Sequence, residues 1–358
     1  MQKGIANRIF FALIDNLIWV LVVVAILIFS LLRSESFFSL NNLVNIVPRV
    51  AAIGLLVIGQ SFTMLTANFD LSSESVLGLT AMVGGLLIAT VKFGGMGLEM
   101  NPALALVIML LVGVLVGLAN GLMITKLRMN NLIVTIAMMI FLRGVIYIIS
   151  PGSSASFFGP FFDWLGRGEL FKISSEGQSV GVPVSLFFVV LAFAAAHLVT
   201  HYTQFGRNMF AVGANREAAE AAGIRSERII LYVYIISGLC SALAGLLLAG
   251  KMDSATPRSG QGYIFVVQAA AIIGGISLFG GRGNMIGALG GVLLWGILDA
   301  GLSIMEASPF TIDVFRGGLL LFAMMLDAFK VKYLHRVAIR QSLAGTTIGL
   351  GDKTPVSV

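Results

Sequence analysis

Positions 66–75 concentrate polar chemistry inside an otherwise apolar stretch: Thr66, Asn68, Asp70, Ser72, Ser73, Glu74 and Ser75 follow within one short segment. Two carboxylates with an amide and several hydroxyls offer the mixed acceptors and donors that a neutral polyhydroxy ligand needs, whereas an anion would be repelled. Two readings of this joint fit. It is either a simple turn in which Asp70 or Ser72 caps the next helix, or a broken helix whose free backbone groups line a cavity. Gln60 and Asn120 lie within apolar segments on either side. Together with Asn68, Asp70, Ser72 and Glu74 they are the candidate substrate path.

Other intramembrane polar groups are sparse: Arg143, His197, Gln268, Asp299, Asp313 and Arg316. Ionisable groups at such depth are costly and usually face a bundle interior or water. Asp313 and Arg316, three residues apart on one helical face, predict mutual pairing, and His197 predicts an interfacial position. No arrangement of a nucleophile with a base, or of metal-ligand spacing, is present, so neither an enzyme nor a metal site is expected. Gly245–Met252 nearly spells a phosphate loop, but Met252 stands where Ser or Thr must hold Mg²⁺ and no strand precedes it. The chain is therefore expected to hold no nucleotide. Its single cysteine, Cys240, rules out an intrachain disulfide and predicts a buried, inert thiol.

The elements that place these groups are membrane spans. Hydrophobic residues make up 58% of the chain and charged ones 11%, too little charge to cover a soluble domain. Mean hydropathy is +0.97. Ten apolar stretches of spanning length are expected at 12–32, 43–66, 71–91, 102–125, 131–150, 182–201, 229–250, 263–281, 284–305 and 310–330. The fold class is thus all-α integral membrane. A single transmembrane domain is expected over 1–335, with a cytoplasmic tail over 336–358. The first stretch lacks a cleavage site and reads as an uncleaved helix. With both termini inside, inner segments carry fourteen Lys and Arg against six outside, the positive-inside asymmetry. Such scattered basic residues set topology and form no nucleic-acid patch. Segment 151–181, with Phe157, Phe158, Phe161, Phe162 and Trp164, then reads as an outer interfacial loop, and 202–228 as cytoplasmic.

Glycines step every four residues at Gly113, Gly117 and Gly121 and again at Gly283, Gly287 and Gly291. Small residues at this step let backbones approach closely. Arg143-Gly144 and Arg316-Gly317 follow the last glycine of each ladder by 22 and 25 residues. The paired spans run in opposite directions, as an inverted repeat requires, although glycine-rich helices also produce such patterns by coincidence.

Between spans, Glu217–Ala222 is a strong helix former, opened by Asn215 and closed by Gly223. It predicts a short cytoplasmic helix with small side chains, Ala218 and Ala219 among them, either a plain surface turn or a docking element.

Here the sequence resembles a known family. Gly206-Arg207, Ala211–Ala219 and Gly223-Ile224 are similar to the cytoplasmic coupling loop of ABC importer permeases of the ribose/xylose/galactose type. The resemblance extends through Asp70-Leu71-Ser72, Leu142-Arg143-Gly144, Ile273–Gly283, Ser308-Pro309-Phe310 and Leu326-Asp327. It implies a non-catalytic permease of the bacterial inner membrane, importing a small neutral sugar or polyol. It also implies a second permease copy or paralogue, a periplasmic sugar-binding protein, and a separate ABC ATPase subunit that binds ATP and Mg²⁺. Asn215, Glu217, Ala218, Ala219 and Gly223 are the residues it places at the ATPase contact. Family members usually carry two glycines before Asp-Leu-Ser and Val-Gly-Ser after it; this chain has Ala67-Asn68-Phe69 and Ser73-Glu74-Ser75. Relatives carrying nucleosides or furanone signals, and an ion-coupled secondary transporter using Asp70, Glu74 and Asp313, are the alternatives.

Overall fold

The computed structural model describes residues 17–150, 152–175, 178–325 and 328–329. The expected tail 336–358, the start of the first span and the Leu326-Asp327 motif lie outside the described residues.

The described chain is overwhelmingly helical. Helix α1 runs Leu17–Phe37, α2 Leu40–Leu65, α3 Ser73–Ile88, α4 Pro102–Thr125 and α5 Asn131–Ile149. After a small outer segment come α7 (Val184–Tyr202), α8 (Gln204–Ala214), α9 (Arg216–Ala221), α10 (Ser226–Met252), α11 (Tyr263–Ile273) and α12 (Met285–Ile304). A last helix, α13, covers 309–325. Side-chain caps set several starts. Ser39 accepts from the Asn42 N–H before α2, Asn101 from Ala103 before α4, Asn130 from Leu132 and Ile133 before α5, and Asn284 from Ile286 before α12.

Among the described residues, six helices are long and apolar enough to cross a bilayer: Asn42–Leu65 within α2, α4, α5, α7, α10 and α12. Two expected spans yield helices shorter than a bilayer crossing. Stretch 71–91 yields only the 16 residues of α3, about 24 Å against a core of roughly 30 Å. Stretch 263–281 yields only the 11 residues of α11, because Gly275, Gly280 and Gly281 take left-handed φ of 91°, 80° and 67° and turn the chain back. Hydropathy persists through both breaks, so it misplaced their ends.

Segment 151–181 is not a plain interfacial loop. It contains the two-residue strand β1 (Ala155–Ser156), the amphipathic helix α6 (Pro160–Arg167), and a hairpin of β2 (Glu169–Ser175) and β3 (Gln178–Pro183). Strand β1 pairs with β4 (Ser254–Ala255) beyond α10. Phe158 and Phe162 are buried while Phe157, Phe161 and Trp164 stay exposed, so only part of the aromatic set faces outward. Gly166 and Gly250 bring α6 onto the end of α10, where an added Cβ at either would meet the other strand of backbone.

Packing centres on α10, which lies against α2, α3 and α4, while α12 lies against α1, α2 and α11. The first glycine ladder faces α10. A Cβ at Gly113 would collide with the Gly238 carbonyl, one at Gly117 with the Tyr234 carbonyl, and one at Gly121 with Leu231. In the second set, Gly287 meets the Gly274 carbonyl and Gly291 the Ala270 carbonyl. Gly283 is not a rung: it precedes α12 in the turn at φ 153°, so a four-residue spacing on paper does not place it on the helix face.

Candidate functional site

The joint between α2 and α3 is buried rather than a surface turn. Thr66, Asn68, Asp70, Ser72, Ser73, Glu74 and Ser75 are all at most 8% exposed. Ala67 sits in the left-handed region at φ 58°, a conformation that favours glycine. Asp70 ties the joint together. Its Oδ1 accepts from the Ser72 N–H at 3.1 Å and the Ser72 hydroxyl at 2.6 Å, and its Oδ2 accepts from the Ser237 hydroxyl of α10 at 2.6 Å. Asn120 of α4 donates its Nδ2 to Ser72 Oγ at 2.9 Å. The Tyr234 hydroxyl of α10 donates to the Phe69 carbonyl at 2.8 Å. Asp70, Ser72 and Asn120, up to 50 positions apart in sequence, thus meet in one knot joining α3, α4 and α10.

The other candidates divide around it. Asn68 donates to the Thr66 carbonyl at 2.8 Å and accepts from Asn131 Nδ2 at 2.9 Å, which fastens the start of α5 to the joint. Glu74 turns away towards α11, where its Oε2 accepts from the Ile264 N–H at 3.2 Å. Its Oε1 lies 3.7 Å from Arg143 Nη2. Arg143 Nη1 in turn donates to the carbonyls of Pro257 and Ser259 at 2.9 and 3.1 Å. Glu74 therefore caps α11 and, through Arg143, clasps α3, α5 and the 253–262 loop, bringing the starts of α3 and α11 side by side. Gln60 is fully buried with neither amide atom hydrogen-bonded, and Asn120 Oδ1 is likewise unpartnered.

Ser237, Tyr234 and Asn131 were missed in the sequence. Their only signal was polarity inside or beside apolar runs, with partners 63 to 167 positions away. Asp313 and Arg316 pair as expected at 3.0 Å, with the guanidinium 5.7 Å from the Trp295 ring. His197 stacks on His201, ring centroids 4.3 Å apart, and Cys240 is buried and free. Among the described residues no group of three or more His, Cys, Asp or Glu could hold a metal ion.

The second candidate surface is α9. Asn215 Oδ1 accepts from the Ala218 N–H at 3.0 Å. At the other end the Gly223 N–H donates to the Glu220 carbonyl and the Ile224 N–H to the Ala219 carbonyl, at 2.9 and 3.0 Å. That pair is a Schellman closure, with Gly223 at φ 83°. Glu217 and Ala218 are exposed while Ala219 is buried. Arg216 bonds Glu220 at 2.9 Å and holds that carboxyl below its usual pKa. The preceding α8 reaches the joint itself: a Cβ at Gly213 would strike the Leu65 carbonyl and the Gly281 amide. The Gly281 N–H donates to Leu65 O at 3.0 Å.

Apolar spans, with two short helices and α8 meeting at a buried polar joint, define a multi-pass membrane protein. Residues 42–324 match the family described as branched-chain amino acid transport system / permease component, and the chain belongs to that family. It is 35% identical over 308 residues to the ribose import permease RbsC of Bacillus subtilis, covering 86% of this chain and 90% of the relative. It is 33% identical over 283 residues to the L-arabinose transport system permease AraH of Escherichia coli, covering 79% and 81%. The galactose/methyl galactoside import permease MglC of Salmonella typhimurium shares 31% over 318 residues, covering 87% and 92%. No solved structure matches the chain. The resemblance drawn from the loop motifs is upheld.

Proposed function

We propose that this chain is the translocating subunit of an ATP-driven importer in a bacterial inner membrane, carrying a small neutral sugar into the cytoplasm. The observation that carries the reading is its similarity, along most of its length, to permeases named for ribose, arabinose and galactose import. In this reading a separate ABC ATPase binds ATP and Mg²⁺ and grips α9, a periplasmic sugar-binding protein delivers the ligand, and two permease chains pair. Ten crossings with both termini inside are supported by the Lys and Arg distribution and by a helix within each of the ten apolar stretches. An inverted repeat is supported by packing. Exchanging the second span with the seventh, the third with the eighth and the fourth with the ninth turns the α4–α10 contact into α12–α2, and the α3–α4 contact into α11–α12; all four occur.

The proposed path runs past Gln60, Asn68, Asp70, Ser72, Glu74 and Asn120. Gln60, buried with a free donor and acceptor, is best suited to meet a sugar hydroxyl. The knot around Asp70 supports the fold of the path. An ion-coupled mechanism is disfavoured because Asp70, Glu74 and Asp313 are each engaged, by Ser72 and Ser237, by Ile264 and Arg143, and by Arg316. The test is uptake of labelled ribose, arabinose and galactose into vesicles containing the permease, an ATPase and a binding protein. ATP-dependent accumulation is expected. Accumulation by the purified chain alone on a proton or sodium gradient would overturn the proposal.

A further inference from the structure

A polar cavity of about 510 Å³ opens between α8, the end of α9 and the start of α10. Gln204, Asn208, Gly223, Arg225, Arg228 and Tyr232 line it, and no carboxylate does. Two of the acids on these elements are already committed. Glu220 bonds Arg216 and Glu227 bonds Lys126, each at 2.9 Å, while Arg225 and Arg228 have no acidic partner among the described residues. Both arginines are exposed. The floor changes character within one turn: Ile229 is buried, and Tyr232, 52% exposed, meets the Phe205 ring edge-on at 6.4 Å. An aromatic pair below paired guanidinium groups is the layering found where a span leaves the hydrocarbon for the headgroup zone.

The geometry points to a binding site for the phosphate headgroup of an anionic phospholipid, seated against the last turn of α9. Arginine forks recognise phosphate oxygens, the amides of Gln204 and Asn208 supply further donors, and Tyr232 with Phe205 borders the upper acyl region. Basic pockets between spans on the cytoplasmic side hold such headgroups. The assignment rests on the cytoplasmic placement of 202–228, but its test requires no transport.

The full-length chain, purified in mild detergent, is loaded with phosphatidylglycerol or phosphatidylcholine, and bound lipid is counted by native mass spectrometry. Wild type should keep phosphatidylglycerol and lose phosphatidylcholine. R225Q and R228Q should each weaken retention about fivefold, and the double variant about thirtyfold. N208F keeps both charges, fills the cavity and should also release the lipid. This second variant guards against misfolding of the first. Wild-type retention in both the double variant and N208F, equal binding of phosphatidylcholine, or displacement of the lipid by millimolar inorganic phosphate would each overturn the site. So would loss of ATPase binding in R225Q/R228Q with lipid retention unchanged, which would give the cavity to the ATPase instead.

Discussion

Replacing Gly117 by alanine adds one methyl group where α4 and α10 touch through backbone. The new Cβ would fall on the Tyr234 carbonyl oxygen and close to Ile235 Cα. One rung away, Gly113 and Gly238 each face the other's carbonyl, so the helices cannot shift along each other to make room. Overpacking against rigid surroundings costs about 1–3 kcal/mol. Alanine also recovers about 0.5–1 kcal/mol of helix preference over glycine, which blurs the single measurement. Gly144, inside α5 with nothing within 4 Å of an added Cβ, supplies the reference. G144A should show only the gain, so the difference between the two variants isolates the collision at about 1–3 kcal/mol. The assay is built in, because the lone Cys240 is buried and reacts with a thiol dye only when the bundle opens. G117A should unfold at lower temperature than wild type and G144A at the same or higher temperature. Equal shifts would refute the claim that α4 and α10 pack backbone to backbone.

Three further outcomes are expected. S237A leaves a buried carboxylate oxygen of Asp70 without its α10 donor, a loss of about 1–3 kcal/mol visible in the same dye assay, whereas S303A, whose hydroxyl only back-bonds Asp299 at an exposed position, should stay within about 0.5 kcal/mol of wild type. N215A removes the cap of α9 and should cost about 1 kcal/mol, seen as faster local hydrogen exchange over 216–221. E217R alters an exposed side chain, so unfolding should be unchanged while ATP-dependent uptake falls at least tenfold; unaltered uptake would remove α9 from the ATPase contact.

Hydropathy located most of the helices because a bilayer leaves few other ways to satisfy backbone groups. The ends of α9 were also readable, since Asn215 and Gly223 act through local bonds. So was the Asp313–Arg316 pair, one helical turn apart. What escaped depended on distant partners or on backbone. Ser237 looks like any small residue of a span until folding brings it to Asp70, 167 positions away. Helix α8 was hidden because Gly206, Gly213 and Arg207 obscure any periodic stripe, although those glycines are what let it press on Thr200, Leu65 and Gly281. The break after α11 sits in apolar sequence, so its signal is the φ of Gly275, Gly280 and Gly281 and not polarity.

The contact at Gly213 bears on how a push at α9 would reach the path. Asn215 ends α8 and caps α9, so the two short helices share one residue and cannot move independently without breaking that cap. Gly213 presses on Leu65, the last residue of α2, and Gly281 bonds the same carbonyl. Two residues further, Ala67 carries the left-handed turn that opens the joint and touches Gly280. From Gly213 to Leu65 and Gly281 the links are backbone contacts with no flexible side chain to absorb displacement, and close-packed interiors transmit strain. A shift of α8 must therefore carry the end of α2, and with it Asp70's hold on Ser72 and Ser237, or open a gap at Gly213. The tight fit at Gly213 argues for the first.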